Sequence, residues 1–359
     1  MKIAFFLGSL NRGGAETLLV DIFSRGDKLP FEAVCVYRKE GNMSDAFHGT
    51  AVPMLRLNRK RSWILYGIRL RRLLLSQQVD IVHAQTAFNA AIAIIFLAFT
   101  RVKVVTTLHG ASFGHANPLY KRLVYRHSSR LVCVSEWERV DYLRLGSCGA
   151  ADRFVVVHNG IDFSKFGYAR PPVGEGDRVR LCMVGNFVPE KNQYFICQFL
   201  KELVSRGFLF DFYFIGRAVP AYQACYDRCV AYCEQTGLND FVHFMGGRSD
   251  VPQLLEDMDA FVYSSKSETF GIAPVEAMAV GLPTFVNDLD VFVEVSQNGE
   301  LAVLYKSGDV EEICAKFSDF MLHRQLYYDK AMANASIIRN LYSIAAHIDG
   351  LHSLYTQIS

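Results

Sequence analysis

The sequence has no apolar run long enough to cross a membrane, no Cys-x-x-Cys motif and no signal-peptide pattern. Its longest apolar run, residues 90–99, is shorter than the about 20 residues that a membrane-spanning helix needs. The nine cysteines are an odd number, which argues against a framework of disulfides. Residues 1–7 fit a buried first strand and lack a cleavage site. These absences, with 51% hydrophobic and 21% charged residues, predict a globular cytoplasmic protein.

Short apolar runs alternate with longer helical patterns along the 359 residues, which are enough for two domains. This alternation predicts an α/β fold with parallel sheets and helices on both faces. A polar stretch rich in Pro and Gly, residues 168–177, is expected to link two Rossmann-like domains, residues 1–167 and 178–342. The expected strands are residues 3–7, 32–37, 81–84, 103–108, 130–134, 154–157, 180–184, 211–215, 242–245, 260–263, 283–286 and 302–304.

The two halves of the chain carry opposite charge. Residues 1–165 contain 23 Lys and Arg against 12 Asp and Glu, whereas the remainder contains 15 against 24. A helix with basic and apolar faces can lie on an anionic membrane. It can equally be a Rossmann helix with a solvated basic face, and no motif accompanies the charge that would indicate nucleic-acid binding. Much of the positive charge lies in one stretch, at Arg56, Arg59, Lys60, Arg61, Arg69, Arg71 and Arg72.

Two glutamates eight positions apart, Glu268 and Glu276, follow the predicted strand at residues 260–263. A turn containing Gly271 should open a helix near Pro274, whose N-terminal N–H groups would face an anion at the end of the strand. Glu268 would then lie on the loop and Glu276 one turn inside the helix. Carboxylates accept charge-assisted hydrogen bonds from sugar hydroxyls, so this pattern indicates a sugar-nucleotide site.

Residues 267–278 resemble the donor-site signature of retaining glycosyltransferases of the GT4 family (glycosyl transferases group 1), which have the GT-B architecture. The resemblance covers almost the full length and is densest at residues 181–305. It implies two Rossmann-like domains that face each other across a cleft, the first binding the acceptor and the second the nucleotide sugar. A C-terminal helix within residues 343–359 would cross back to pack on the N-terminal domain.

Two glycine- or lysine-containing loops resemble further parts of this donor site. Gly13 and Gly14 resemble the Gly-Gly-Ala-Glu opening of GT4 proteins, although a plain tight turn has the same residues; the third glycine of a dinucleotide fingerprint is missing. Lys191 matches the family lysine that holds the donor pyrophosphate. Asn186 stands where the family usually has an arginine, and it supplies no charge, so phosphate binding should depend more on Lys191 and on helix N-termini.

The resemblance also assigns roles to individual residues. His109 ends a strand where relatives place a histidine near the transferred sugar, with a satisfied core-edge histidine as the alternative. Arg248 would face the phosphate or sugar, or be a surface arginine. The implied catalytic residues are Glu268, His109 and Lys191. The implied donor-binding residues are Gly13, Gly14, Asn186, Lys191, Arg248, Val251, Glu268, Thr269, Phe270, Gly271, Ile272 and Glu276.

Some residues mimic metal ligands without the right context. Asp257 and Asp259 form an Asp-x-Asp pattern, as do Asp288 and Asp290, but the first pair fits a helix end that leads into a strand. No metal and no cofactor are therefore expected. Cysteines spaced four residues apart fall on one stripe of a helix and are expected to be buried thiols rather than zinc ligands. They are Cys225, Cys229 and Cys233.

The resemblance implies a metal-independent transferase. It would move a hexosyl or N-acetylhexosaminyl group, with retention, from a UDP-sugar to a glycan or lipid-linked acceptor. The expected setting is synthesis of cell-surface polysaccharide or lipopolysaccharide, with the protein cytoplasmic or peripheral on the inner membrane face. The alternative is a GT-B protein without transfer activity, either a sugar-nucleotide epimerase or a degenerate nucleotide-sugar-binding partner. Residues 287–294 depart from the family pattern, which indicates an unusual donor or acceptor.

Overall fold

The computed structural model describes residues 1–11, 13–59, 62–108, 118–144, 151–172 and 178–359. The chain divides into a first unit, residues 1–162 with 342–359, and a second unit, residues 163–341. Each unit contains one parallel sheet covered by helices. The predicted α/β fold with two Rossmann-like domains is confirmed.

All the strand pairs described are parallel. The first sheet has the order β3-β2-β1-β4-β5-β6-β7 and the second has the order β10-β9-β8-β11-β12-β13. The strands are β1 (Lys2–Ser9), β2 (Glu32–Lys39), β3 (Met54–Arg56), β4 (Ile81–Ala84), β5 (Lys103–Leu108), β6 (Arg130–Cys133), β7 (Phe154–Val156), β8 (Val179–Val184), β9 (Phe210–Ile215), β10 (Val242–Gly246), β11 (Ala260–Tyr263), β12 (Thr284–Asn287) and β13 (Val303–Tyr305).

Every predicted strand overlaps an observed one, and only β3 among the described strands was not predicted. Its three residues lie half-buried or exposed at the edge of the sheet, so they form neither an apolar run nor an alternating pattern.

Helices follow most strands and cover both faces of each sheet. In the described residues they are α1 (Gly14–Phe23), α2 (Ser44–His48), α3 (Trp63–Ser76), α4 (Ala87–Leu97), α5 (Pro118–His127), α6 (Glu136–Arg144), α7 (Gln193–Ser205), α8 (Gln223–Thr236), α9 (Val251–Glu256), α10 (Ile272–Val280), α11 (Asp290–Val295), α12 (Val310–Leu322), α13 (Arg324–Leu341) and α14 (Ile344–Thr356).

The central strand β1 explains how the first unit is built. Successive side chains of a strand point to opposite faces, and in β1 all of them from Ile3 to Leu7 are buried. Ile3, Phe5 and Leu7 pack in a core with α1 and α14. Ala4 and Phe6 pack on the other face with α3 and α4. A strand that is apolar on both faces therefore requires helices on both sides.

The second unit begins earlier than the sequence predicts. The first unit ends at Asp162 rather than at residue 167. Residues 168–172 of the predicted linker pack in the second unit; the backbone N–H of Ala169, for example, donates to the carbonyl of Val280 at 2.8 Å. Pro and Gly indicate irregular backbone, but they do not indicate that the backbone lacks partners. The rest of the predicted linker lies outside the described residues.

The last helix, α14, belongs to the core of the first unit. The ring of His347 is buried, and its Nδ1 donates to the carbonyl of His158 at 2.6 Å. In the last turn of the helix, the hydroxyl of Tyr355 lies 2.5 Å from Nδ1 of His83, whose Nε2 lies 2.6 Å from the hydroxyl of Thr107. These buried polar contacts connect α14 to β4, β5 and the loop after β7.

His347 should make the first unit sensitive to acid. Burial lowers the pKa of its imidazole from 6.5 to about 4. Between these values the unfolded chain binds more protons than the folded chain, so stability is present above pH 6.5 and falls as the pH drops towards 4. We expect this group to cost about 2 kcal/mol of stability between pH 7 and pH 5.

Urea unfolding of wild type and His347→Gln at pH 7 and pH 5 tests this expectation. Both tryptophans of the sequence, Trp63 and Trp137, lie in the first unit, so tryptophan fluorescence reports on that unit. The difference in stability between the two pH values should be smaller in His347→Gln by about the stated amount. An equal difference in both proteins would contradict the role of His347.

Candidate functional site

The carboxyl ends of β8 and β11 lie side by side in the middle of the second sheet. Loops from adjacent parallel strands converge at this edge, where such folds bind ligands. After β8 the chain makes one 3-10 turn, Pro189–Lys191, and Asn192 adopts a left-handed conformation with φ 48° at the start of α7. The loop after β11 runs directly to α10. The two loops carry Lys191 and Glu268 to the same point.

Lys191, Tyr263 and Glu268 form one hydrogen-bonded cluster. The Nζ of Lys191 donates to the hydroxyl of Tyr263 at 2.7 Å and forms an ion pair with Oε1 of Glu268. The hydroxyl of Tyr263 donates to the same Glu268 oxygen at 2.7 Å. The Lys191 and Glu268 side chains are 25% and 11% exposed, so both can be reached from solvent. The two predicted residues therefore meet, and a third residue joins them.

Tyr263 is one of the residues that the sequence motifs did not identify. Its side chain is fully buried, and burial, reinforced by the negative charge of Glu268, raises the pKa of its hydroxyl well above the ordinary value. It therefore stays protonated and fixes the orientation of the carboxylate. The only sequence signal was its position as the last residue of an apolar strand, just before the polar loop.

A buried amide fixes the loop that carries Glu268. The Oδ1 of Asn287 accepts from the N–H of Ser265 at 3.0 Å, and its Nδ2 donates to the Ser265 carbonyl and the Ser307 hydroxyl, both at 2.8 Å. The Ser265 hydroxyl in turn donates to the carbonyl of Glu190 at 2.8 Å. Asn287 begins the stretch that departs from the family pattern, and here it has a structural role at the end of β12.

The helix α10 begins at a glycine that no other residue can replace without strain. Gly271 has φ 85°, and a Cβ there would lie 2.5 Å from the ring of Phe292. The helix starts at Ile272, two residues before the predicted start, and its first N–H groups lie at the edge of the sheet that carries Glu268.

The remaining residues of the Glu-x7-Glu segment differ in exposure. Phe270 is buried in the core, so only its backbone remains for a ligand. Thr269 and Glu276 are half-buried, and Ile272 is exposed. Glu276 lies in the second turn of α10, as the predicted division of roles between loop and helix requires.

Asn186 connects two loops of the site. Its Oδ1 accepts the backbone N–H of Arg217, which follows β9, at 3.0 Å. Its side-chain nitrogen has no acceptor among the described residues and is available to a ligand. The side chain of Arg217 is exposed and lies across Gly247, where a Cβ would come within 2.4 Å of the Arg217 Cγ. Arg217 thus contacts Asn186 through its backbone, and its side chain extends over Gly247.

Arg248 already has an acidic partner. Its Nε and a terminal nitrogen donate to the two carboxylate oxygens of Asp250 at 2.8 and 2.6 Å. This pairing raises the pKa of Arg248 and lowers that of Asp250. Val251 follows as the half-buried first residue of α9. The geometry is that of a paired surface arginine, the alternative that the sequence left open.

Of the predicted residues in the first unit, the structure describes Gly13 and Gly14 but not His109, Lys60 or Arg61. Gly13 and Gly14 stand at the start of α1, with Gly13 in extended backbone as the residue before the helix. His109, which was predicted to be catalytic, lies outside the described residues. Lys60 and Arg61 of the basic stretch also lie outside them.

The basic stretch is not one continuous amphipathic helix, because α3 begins only at Trp63. Arg56 lies in β3 and pairs with Glu40 at 3.3 Å. Arg71 donates to two carbonyls at the end of α4, those of Phe96 and Ala98, at 2.8 and 2.9 Å. These two arginines serve the fold rather than a membrane.

Three arginines of this stretch remain at the surface around α3. The guanidinium of Arg59 lies 4.8 Å from the ring centre of Trp63. Arg69 donates to the carbonyl of Asn58 at 3.1 Å, and Arg72 is exposed on the same helix. Across the described part of the chain, no helix combines the length and the apolar character that a membrane span requires.

Two of the carboxylates that mimic metal ligands accept hydrogen bonds from other groups. Asp259 accepts the backbone N–H of Arg180 at 2.7 Å and its Nε at 3.2 Å, and Asp288 accepts both groups of Ser307. Within the described ranges, no group of three or more His, Cys, Asp or Glu side chains could hold a metal ion. In the cysteine stripe, Cys229 and Cys233 are buried and Cys225 is half-buried.

Comparison with known proteins gives both relatives and a shared fold. The Escherichia coli enzyme UDP-Gal:alpha-D-GlcNAc-diphosphoundecaprenol alpha-1,3-galactosyltransferase is 25% identical over 251 residues, which cover 62% of this chain and 61% of that protein. The putative colanic acid biosynthesis glycosyltransferase WcaL of Salmonella typhimurium is 24% identical and is matched over 71% of this chain and 67% of its own length. The chain thus spans about three fifths to two thirds of these relatives.

The structure of Anabaena Alr3699/HepE in complex with UDP is similar over 99% of this chain and 100% of that chain, with a TM-score of 0.86 and 19% identity. This similarity shows that the fold is GT-B. The model of glycosyltransferase family 4 matches residues 12–165, and that of the glycosyl transferases group 1 matches residues 169–336. The chain therefore belongs to the GT4-type glycosyltransferases.

Proposed function

We propose that this protein is a retaining glycosyltransferase that moves a hexosyl or N-acetylhexosaminyl group from a UDP-sugar to a glycan or lipid-linked acceptor. The observation that carries the proposal is the cluster of Lys191, Tyr263 and Glu268 beside the N-terminus of α10. The names of two relatives support it: one uses UDP-Gal and a diphosphoundecaprenol-linked acceptor, and the other belongs to colanic acid biosynthesis. The reaction would serve cell-surface polysaccharide or lipopolysaccharide synthesis.

The cluster suits a donor that carries hydroxyls at one end and a diphosphate at the other. Glu268 would accept hydrogen bonds from hydroxyls of the transferred sugar and Glu276 from the ribose. Lys191 and the first N–H groups of α10 would stabilise charge that develops on the leaving diphosphate. The ion pair between Lys191 and Glu268 would hold both side chains in position before the donor binds.

Orientation and electrostatics would then supply the catalysis, without a metal. As the anomeric bond to the diphosphate breaks, the acceptor hydroxyl attacks the same face of the sugar, and its proton passes to the leaving phosphate. Tyr263 would hold Glu268 against the sugar throughout, because its hydroxyl stays protonated.

Asn186 keeps a second candidate open, a GT-B protein without transfer activity. An epimerase would convert a nucleotide sugar with no acceptor present, and a degenerate partner would bind nucleotide without turnover. UDP release that depends on added lipid-linked acceptor supports the transferase. Conversion without acceptor, or binding without turnover, supports the second candidate.

UDP should raise the midpoint of thermal unfolding more than GDP, ADP, CMP or dTDP does. A ligand at a hundred times its Kd stabilises the folded state by about 2.7 kcal/mol. Lys191→Met should remove most of this shift. Glu268→Gln should keep it but lower kcat/KM for transfer by roughly 10- to 100-fold, because it loses charge-assisted hydrogen bonds.

The matched control is Glu190→Gln, which changes an exposed carboxylate next to Lys191. This variant should change neither the thermal shift nor turnover. A UDP shift of full size in Lys191→Met would contradict the assigned site.

Arg217 should replace the charge that Asn186 does not provide. Arg217→Met should weaken UDP binding by about tenfold, measured by calorimetry, because a charge-assisted contact to phosphate is lost. Adding Asn186→Arg to this variant should restore affinity. The control is Arg206→Met, which should have no effect on UDP affinity. Arg206 directly follows α7 and forms an ion pair with Glu202. Unchanged affinity in Arg217→Met would remove Arg217 from the site.

We also propose that the first unit rests on the cytoplasmic face of an anionic membrane. Ile64 and Leu65 of α3 are 66% and 58% exposed; Arg59 stacks on the adjacent Trp63, and Arg72 is exposed on the same helix. Apolar side chains flanked by positive charge favour the interface of anionic lipids. The excess of basic residues in the first half of the chain has the matching sign.

Replacing both Ile64 and Leu65 with serine should weaken cosedimentation with phosphatidylglycerol vesicles by about tenfold or more, because fully burying a Leu or Ile side chain contributes about 1.5–3 kcal/mol. High salt should weaken wild-type binding as well. The control is the double replacement of Leu322 and Leu326, which are 79% and 66% exposed in the second unit. Equal binding to neutral vesicles would contradict the proposal.

A further inference from the structure

A guanidinium without an acidic partner lies at the carboxyl edge of the first sheet. Arg38 is near the end of β2, and one of its terminal nitrogens lies beside Gly8 at the end of β1. Its guanidinium carbon lies 5.2 Å from the ring centre of Trp63 and 5.8 Å from that of Phe88. These two rings meet edge to face at 4.8 Å. The side chain is therefore held by aromatic rings rather than by a carboxylate.

Two buried polar atoms in this place lack partners. In the described part of the chain, no acceptor reaches Nε of Arg38, and no partner reaches the hydroxyl of Tyr66. Buried polar groups normally have a hydrogen-bond partner, and a group that lacks one requires an explanation, such as a ligand that binds there. The contrast with Arg56 and Arg71 is informative, because both have carboxylate or carbonyl partners.

Burial keeps the hydroxyl of Tyr66 protonated and therefore able to donate. Burial raises the pKa of Tyr66 to about 12, against the opposing effect of the positive charges of Arg38 and Arg69. Tyr66 packs edge to face on Trp63, with ring centres 5.7 Å apart. The guanidinium groups of Arg38 and Arg69 thus both act on the hydroxyl of Tyr66, and all three groups can donate hydrogen bonds.

We propose that Arg38, with Tyr66 and Arg69, binds a phosphate or diphosphate group of the acceptor. A guanidinium presents two parallel N–H donors that match phosphate oxygens, and stacking on rings leaves its donors free. Trp63 and Tyr120, 37% and 38% exposed, extend the site with aromatic faces for the attached sugar or chain. The inference rests on the proposed function and names the class of acceptor, one with a phosphate linkage.

Calorimetry on the full chain, saturated with UDP so that the donor site is filled, tests this inference. The probes are farnesyl diphosphate below its micelle concentration, inorganic pyrophosphate, farnesol and glucuronate. Wild type should bind either diphosphate probe and should bind farnesol and glucuronate more weakly. Tighter binding of farnesyl diphosphate than of pyrophosphate identifies a lipid-linked source, and equal binding a free one.

Arg38→Met should weaken binding of the diphosphate probes by about tenfold or more, and Arg38→Lys by less. Tyr66→Phe should weaken binding severalfold while leaving the midpoint of thermal unfolding unchanged or higher, because the lost hydroxyl has no partner in the free protein. Arg101→Met, an exposed arginine outside this site, is the matched control.

Full affinity in both Arg38→Met and Tyr66→Phe would overturn the inference, as would stronger binding of farnesol or glucuronate. The UDP thermal shift of each variant is measured in parallel. A variant that keeps this shift is folded, so its loss of diphosphate binding belongs to this site. If wild type shows no UDP shift, the donor assignment fails on its own. Titrating Lys191→Met with the diphosphate probes still tests Arg38, because this variant keeps Arg38 and lacks the lysine of the proposed donor site.

Discussion

The pairing of β8 with β11 in the middle of the second sheet is the constraint on which the site depends. It brings the ends of two strands that are far apart in sequence to neighbouring positions. Lys191 lies at the end of the 3-10 turn that follows β8, and Glu268 lies in the short loop that follows β11. The hydroxyl of Tyr263 contacts both side chains. Its position is fixed, because Tyr263 is the last residue of β11 and cannot move without disturbing the sheet.

Burial keeps the side chains of this cluster paired with one another. A carboxylate that is only 11% exposed must have partners, and Lys191 and Tyr263 provide them when no donor is present. A sugar nucleotide offers replacements of the same kind, hydroxyls for Glu268 and phosphate oxygens for Lys191. Under the proposed function, contacts to both ends of the donor would therefore replace the ion pair.

The sequence predicted the strands and the positions of Lys191 and Glu268, because apolar runs and loop motifs are local properties. It missed β3, whose half-exposed edge position leaves no apolar pattern. It also missed Tyr263, Asn287 and Arg217, since each acts through a contact with a distant part of the chain. Phe270 shows another limit of the motif, because its side chain is buried and only its backbone remains for a ligand. Motif membership identifies a loop, whereas tertiary packing decides which of its side chains face the ligand.

The partners of the arginines explain why charge counts alone were ambiguous. Arg56, Arg71 and Arg248 each have a carboxylate or carbonyl partner, so their charge is already used within the fold. Arg38 and Arg217 have no acidic partner in the described residues, and each lies at the carboxyl end of a parallel strand. Position at that edge and lack of a partner are independent properties, and their coincidence is the basis for proposing that Arg38 and Arg217 bind anions. The first half of the chain is basic in sum, but the argument for anion binding depends on these individual residues.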